Sequence, residues 1–446
     1  MEWMWNYVLW SILITLMPLA WHLRRKNSYR RAKLPPGPQG WPVIGNIFDL
    51  GASPHRSLAA LKQKYGPVVW LNLGAVKTMV ILSAGAAEEL FKNHDLSFID
   101  RFNNDVMRAD DYYKSSMALG LYSPYWRTLR RICTVELFSN KRINEAVLVR
   151  QRCVNKMLSW IEKELVESAT GEIEVKDFLF PAIFNMIGNL TLSQDLMHPN
   201  SEMASEFYMA LSGFSVCLTS PNISDLFPWL RWLDLQGLRR RTDRELKKAM
   251  QIISGFVRER VKQRQHREGR ATEHKDFLDV VLDYEGNGKD EPVKLSDHQI
   301  TIFLMHLADK STIFARPSRM DFIYTIINFV IIVVLVLVVI FLSLMLKLYA
   351  GKDIRNPKNT HVFVNAWAIG RDEEIWEDAL SFKPERFLES SIGYKGQDYE
   401  FIPFGVGRRF CPGLPLADRV LPLNLGSLLH YFDWKPGENS SGEMTI

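Results

Sequence analysis

The alternation of apolar and polar positions along the chain predicts mostly helices, with one short region of strand. Between Val68 and Leu82, two apolar runs (V-V-W-L-N-L and M-V-I-L) flank Gly74, which predicts strand, turn and strand. Ala84 to Asn93 then reads as a helix. Periodicity is clearest from Ile143 to Leu165, where Ile143, Val147, Val154, Leu158, Ile161 and Leu165 recur at spacings of three, four and seven, the stripe of a core-facing helix. Arg239 to Arg270 forms a long basic amphipathic helix, with Leu246, Met250, Ile253, Phe256 and Val257 on its apolar side and its charges on a solvated face. Glu285 to Pro292 is a polar loop, and Ile300 to Leu307 opens a further helix. No internal repeat interrupts this reading.

Two stretches break the alternation. From Trp3 to Trp21 no residue is charged, a span long enough to cross a bilayer. Six cations follow between Arg24 and Lys33, with no acid between Glu2 and Asp49. Positive charge after the span places the body on the cytoplasmic side of an uncleaved anchor, expected in the endoplasmic reticulum membrane. Phe322 to Leu346 is the second, 25 residues without a charge and apolar all round.

Composition narrows the function. With 446 residues, 47% of them apolar, the chain can build a large core. A net charge of +5 makes no case for nucleic acid, and no stacked-aromatic basic module or zinc-finger spacing supports one. Four scattered cysteines, Cys133, Cys153, Cys217 and Cys411, argue against a disulfide framework and suit a reducing compartment.

The densest chemistry lies in Phe404 to Gly413, F-G-V-G-R-R-F-C-P-G. It fits F-x-x-G-x-R-x-C-x-G and presents Cys411 on a glycine-hinged loop ahead of an apolar helix, whose N-terminus favours a thiolate. A thiolate so placed can serve as the axial metal ligand of a haem iron, where it pushes electron density onto the metal. Arg409 can meet a haem propionate, Phe404 can shield the sulfur, and Gly413 closes the cofactor-binding motif.

At these residues the chain resembles the cytochrome P-450 family of haem-thiolate monooxygenases. Further likeness lies in Pro35-Pro36-Gly37-Pro38 and Gly40 to Asn46, in Trp126-Arg127-Thr128-Leu129-Arg130, which matches W-x-x-x-R, and in Phe382 to Phe387, which matches F-x-P-E-R-F. Phe178 to Leu192 and Asn222 to Gly237 resemble plant microsomal members near the geraniol-hydroxylase group. The resemblance implies a mainly helical fold with a small mixed β-sheet near the N-terminus. It also implies haem held by Trp126, Arg130 and Arg409, O2 as co-substrate, and electrons from NADPH through a cytochrome reductase. A terpenoid or alkaloid-like lipophilic substrate is expected, with Arg101 to Met117 as a covering loop whose Met107, Met117 and Leu119 supply apolar contacts. On this reading residues 1–33 are the membrane anchor, and 34–446 the catalytic domain, interrupted at 309–355 by a hydrophobic segment.

The interruption matters. The family's acid–threonine run is replaced by Ala308-Asp309-Lys310-Ser311-Thr312, and no E-x-x-R occurs in the chain. Arg386 is therefore expected to be a buried guanidinium without its carboxylate. Pro422 and Gly426 are expected to interrupt the helix after Cys411, and the chain ends at Ile446 before the family's closing sheet segment. Two readings stand: a membrane-bound monooxygenase, or a catalytically inactive protein with two anchors.

Overall fold

Proline and serine start the first elements. Pro54 sits in the first turn of α1 (Pro54–Tyr65), where its missing N–H is no loss. The hairpin follows as β1 (Val68–Leu73) and β2 (Val76–Ile81), paired antiparallel from Val68 opposite Ile81 to Leu73 opposite Val76. β3 (His361–Val364) joins β2 in parallel, with Thr78 opposite His361 and Ile81 opposite Val364, so the order is β1-β2-β3. The sheet is mixed, as expected, but its third strand comes from far along the chain. The free edge of β1 is met by the proline-rich segment: Trp70 N–H donates to the Pro36 carbonyl at 2.9 Å. Side chains are excluded there, since a Cβ on Gly37 would lie 1.9 Å from the Trp70 carbonyl oxygen. Residues described by this computed structural model are 34–41, 43–51, 53–168, 172–197, 202–266, 276–289, 291–312, 360–388 and 390–435.

Ser83 caps α2 (Ala84–Asn93) by accepting the Ala86 N–H at 3.2 Å. The longer helices are then α3 (Pro124–Ile132), α4 (Val147–Glu167), α5 (Lys176–Leu192), α6 (Glu202–Thr219), α7 (Leu238–His266), α8 (Asp297–Thr312) and α9 (Leu414–Tyr431). α8 is the buried element. Ile300, Phe303, Leu304 and Leu307 are sealed among Phe184 of α5, Phe207 and Phe214 of α6, and Leu246 and Ile253 of α7. A helix apolar on nearly every side belongs inside a fold.

Several expectations need correction. The Ile143–Leu165 stripe breaks at Ala146: Ile143 lies on a short helix, Asn140–Glu145, and Val147 is exposed at the start of α4. α9 runs unbroken through Pro422 and Gly426. Pro422 faces solvent, where water can serve the carbonyl that loses its N–H partner. Arg386 is neither buried nor starved of partners. It donates to the carbonyls of Lys383 (3.1 Å), Glu377 (2.9 Å), Asp378 (3.1 Å) and Ser381 (3.0 Å), and its Cζ lies 5.9 Å from the Trp376 ring centre. Among the described residues no helix is long and apolar enough to cross a membrane. Both expected spans, Trp3–Trp21 and Phe322–Leu346, lie outside the described residues.

Candidate functional site

Two glycines shape the cysteine loop. Gly405 (φ +74°) and Gly407 (φ +68°) adopt left-handed conformations that side chains resist. Between them and the helix, Phe410 N–H donates to the Gly407 carbonyl and Cys411 N–H to the Phe404 carbonyl, each at 3.0 Å. α9 then begins, with Leu416 and Ala417 bonding back to the Gly413 carbonyl. A Cβ on Gly413 would lie 3.8 Å from Cys411 Sγ, so the sulfur sits beside the first turn, where a helix favours negative charge. Gly413 itself has an ordinary φ of −81°, and its conformation does not demand glycine. Cys411 is half-buried, and Phe404 is buried in the same apolar cluster with Leu414, Leu179 and Met157.

α3 forms the facing wall. Ser123 accepts the Trp126 N–H at 3.1 Å and Pro124 opens the helix, which fixes Trp126 and Arg130 one turn apart on one face. The Trp126 indole N–H, which the family resemblance implies could donate to a haem propionate, donates in this structure to the Met117 carbonyl at 2.6 Å. Its ring instead carries Arg409, whose guanidinium carbon lies 4.0 Å from the ring centre. Arg130 reaches across to donate to the Phe410 carbonyl, next to Cys411.

Arg409 is 9% exposed; its Nε donates to Ile99 O (3.0 Å) and one Nη to Gly120 O (2.7 Å), while Nη1 is buried with no hydrogen-bond partner. Burial lowers its pKa to about 10, with Asp100 opposing and Arg130 adding to the shift. Arg101, at the start of the expected covering loop, belongs to this site. Burial, then Arg409 and Arg130, lower it to about 9. Arg130 is lowered by burial, with Cys411 and Cys133 opposing. Three guanidiniums thus crowd one partly dry site, where Arg130 depresses both Arg409 and Arg101, and Arg409 depresses Arg101. A ligand carrying two carboxylates relieves this, and Arg409 Nη1 is a donor waiting for one. Haem has two propionates and takes a thiolate ligand, so the residues present fit it. No local pattern marked Arg101; a lone arginine before a polar loop looks like surface. Beyond Ala308 the side chains of α8, including Asp309 and Thr312, lie outside the described residues.

The Cytochrome P450 family profile matches residues 35–308 and 350–445. Cytochrome P450 76A2 of Solanum melongena is 45% identical over 98% of this chain and 94% of its own length. An iridoid oxidase of Catharanthus roseus is 40% identical over 93% of this chain and 88% of its own. Geraniol 8-hydroxylase of the same plant is 35% identical over 95% and 92%. A zebra fish cytochrome P450 solved with progesterone superposes with a TM-score of 0.61 at 21% identity, covering 84% of this chain and 91% of that one. That likeness speaks for the fold. Taken with the sequence matches, it places this chain in the cytochrome P450 family of oxidoreductases, whose cofactor is haem with a thiolate ligand, reduced by NADPH through a reductase.

Proposed function

We propose that this chain is a monooxygenase that inserts one oxygen atom from O2 into a small terpenoid-like substrate, at a haem ligated by Cys411. The observation that carries the reading is the three-arginine cluster around Cys411, with the unpartnered Arg409 Nη1. Arg101, Arg130 and Arg409 would hold the propionates, Trp126 would support Arg409 from beneath, and Phe404 would keep water from the sulfur. When bound, the haem supplies O2 activation. The chain itself supplies apolar surroundings: Val106, Met107 and Tyr112 belong to the main buried apolar cluster, with Phe214 against Tyr112 at 5.2 Å between ring centres. Relatives named for iridoid oxidation and geraniol hydroxylation support a monoterpenoid-sized substrate.

A membrane location fits the same reading. Trp229, Trp232 (80% exposed), Leu233 and Leu235 form an uncovered aromatic and aliphatic patch, and the uncharged Trp3–Trp21 stretch is followed by cations. The proposed site is the endoplasmic reticulum membrane, with the catalytic body in the cytoplasm. The test is NADPH-dependent oxidation of geraniol by microsomes carrying this chain and a plant reductase. Stoichiometric haem without any oxidised monoterpenoid product would overturn the substrate assignment.

A second reading is a catalytically inactive, two-anchor protein. It is favoured by the family match lapsing between residues 308 and 350, where the uncharged Phe322–Leu346 lies. A glycosylation acceptor placed after Lys352 reports on it. Lumenal modification supports the second anchor, and an unmodified acceptor in haem-bound protein removes it.

A further inference from the structure

Two segments distant in sequence meet beside the main apolar cluster, and their seam is built from charge. One is the turn Asp105–Asp111, in which Asp110 (φ +49°) and Asp111 (φ +52°) hold left-handed conformations. The other runs from the end of α6 through the short helix Ile223–Leu226 to the turn Pro228–Leu233. Asp105 is fully buried at 0% exposure. Its N–H donates to Asp225 Oδ1 at 2.7 Å, and Arg231 Nε stands 3.1 Å from its Oδ1. That last contact is an ion pair without hydrogen-bond alignment, so both Asp105 carboxylate oxygens remain without a donor. Asn104 adds a bond to the Leu218 carbonyl at 3.5 Å.

A buried carboxylate lacking donors beside a second carboxylate is an arrangement that one proton improves. We propose that Asp105, Asp225 and Arg231 form a proton-sensitive clasp that holds the Asp105–Asp111 turn against the Ile223–Leu233 segment. On protonation Asp225 ceases to repel Asp105 and gains an O–H to donate to it, while its other oxygen still accepts the Asp105 N–H. The charged groups acting on Asp225 are Asp105 and Arg108 from one side and Arg231 from the other. Burial raises its pKa to about 6, with Asp105 adding to the rise and the bond from the Asp105 N–H, Arg231 and Arg108 opposing. A carboxyl raised in the closed state favours closure at low pH, and that advantage is lost as pH rises through about 6. Against an ordinary open-state value, the clasp should be about tenfold tighter at pH 5 than at pH 8. Its service as a gate for substrate rests on the monooxygenase reading; the clasp itself does not.

Hydrogen exchange on the full chain tests it without haem. After correction for intrinsic rates, amides of the peptide around Asp105 should exchange about tenfold slower at pH 5 than at pH 8, while those of β2 stay level. Asp225→Asn, which carries no charge, should hold the slow rate at both pH values, and Arg231→Gln should speed exchange at both. Equal wild-type rates at the two pH values, an equal shift in β2, or an unchanged pH effect in Asp225→Asn would each overturn the clasp. Success here with no haem incorporated would leave the clasp standing and remove the monooxygenase reading.

Discussion

The guanidinium carbon of Arg409 lies 4.0 Å from the centre of the Trp126 ring, so the cysteine loop rests on α3 through a cation and an indole. The same ring is anchored by its N–H on Met117 O at 2.6 Å. Trp126→Phe keeps the face and loses the anchor, which should cost about 1 kcal/mol of stability. Trp126→Ala removes a buried aromatic and should cost about 3–5 kcal/mol. Urea unfolding of the haem-free chain reads both, and near-equal losses would show that the ring face contributes little.

Arg101 leads to a change of sign. In the haem-free chain its charge is buried among Arg130 and Arg409. Arg101→Gln should therefore leave the haem-free protein as stable or about 1 kcal/mol more stable. The same substitution should weaken haem retention, measured by transfer to apomyoglobin, about tenfold or more. Loss of stability together with unchanged retention would assign Arg101 a purely structural part.

Arg386 draws four carbonyls of its own segment together. Arg386→Ala should cost about 1–2 kcal/mol and open residues 376–388 to limited proteolysis. A neutral or stabilising result would return this arginine to the orphan that the missing E-x-x-R implies.

The four thiols should separate by reactivity. Cys133, Cys153 and Cys217 are buried; burial pushes the Cys133 thiol well above its usual range and raises Cys153 to about 11. Alkylation of the folded, haem-free chain at pH 8 should modify Cys411 alone, with the others following on unfolding. Mass spectrometry of the labelled peptides decides it, and early labelling of Cys133 would mean that the packing of α3 on the cysteine loop is loose.

Legibility followed locality. The cysteine loop was readable because its glycines and cysteine keep fixed spacing, and the hairpin because Gly74 separates two apolar runs. Ala84–Asn93 was found in full. The strand His361–Val364 was missed, since H-V-F-V is short and becomes a strand by pairing with residues 78–81. Arg101 and the Asp105–Asp225 seam were illegible for the same reason: each takes its meaning from a charge elsewhere in the chain. The partners of Arg386 are backbone carbonyls, which no motif displays.

The central claim is that Cys411 carries a haem iron. The measurement is the carbon-monoxide difference spectrum of the reduced full-length protein, wild type beside Cys411→Ala. The account predicts the red-shifted Soret band of a thiolate-ligated haem in the wild type and its loss in the variant. A wild-type protein with no such band, or a band that survives in Cys411→Ala, would contradict it.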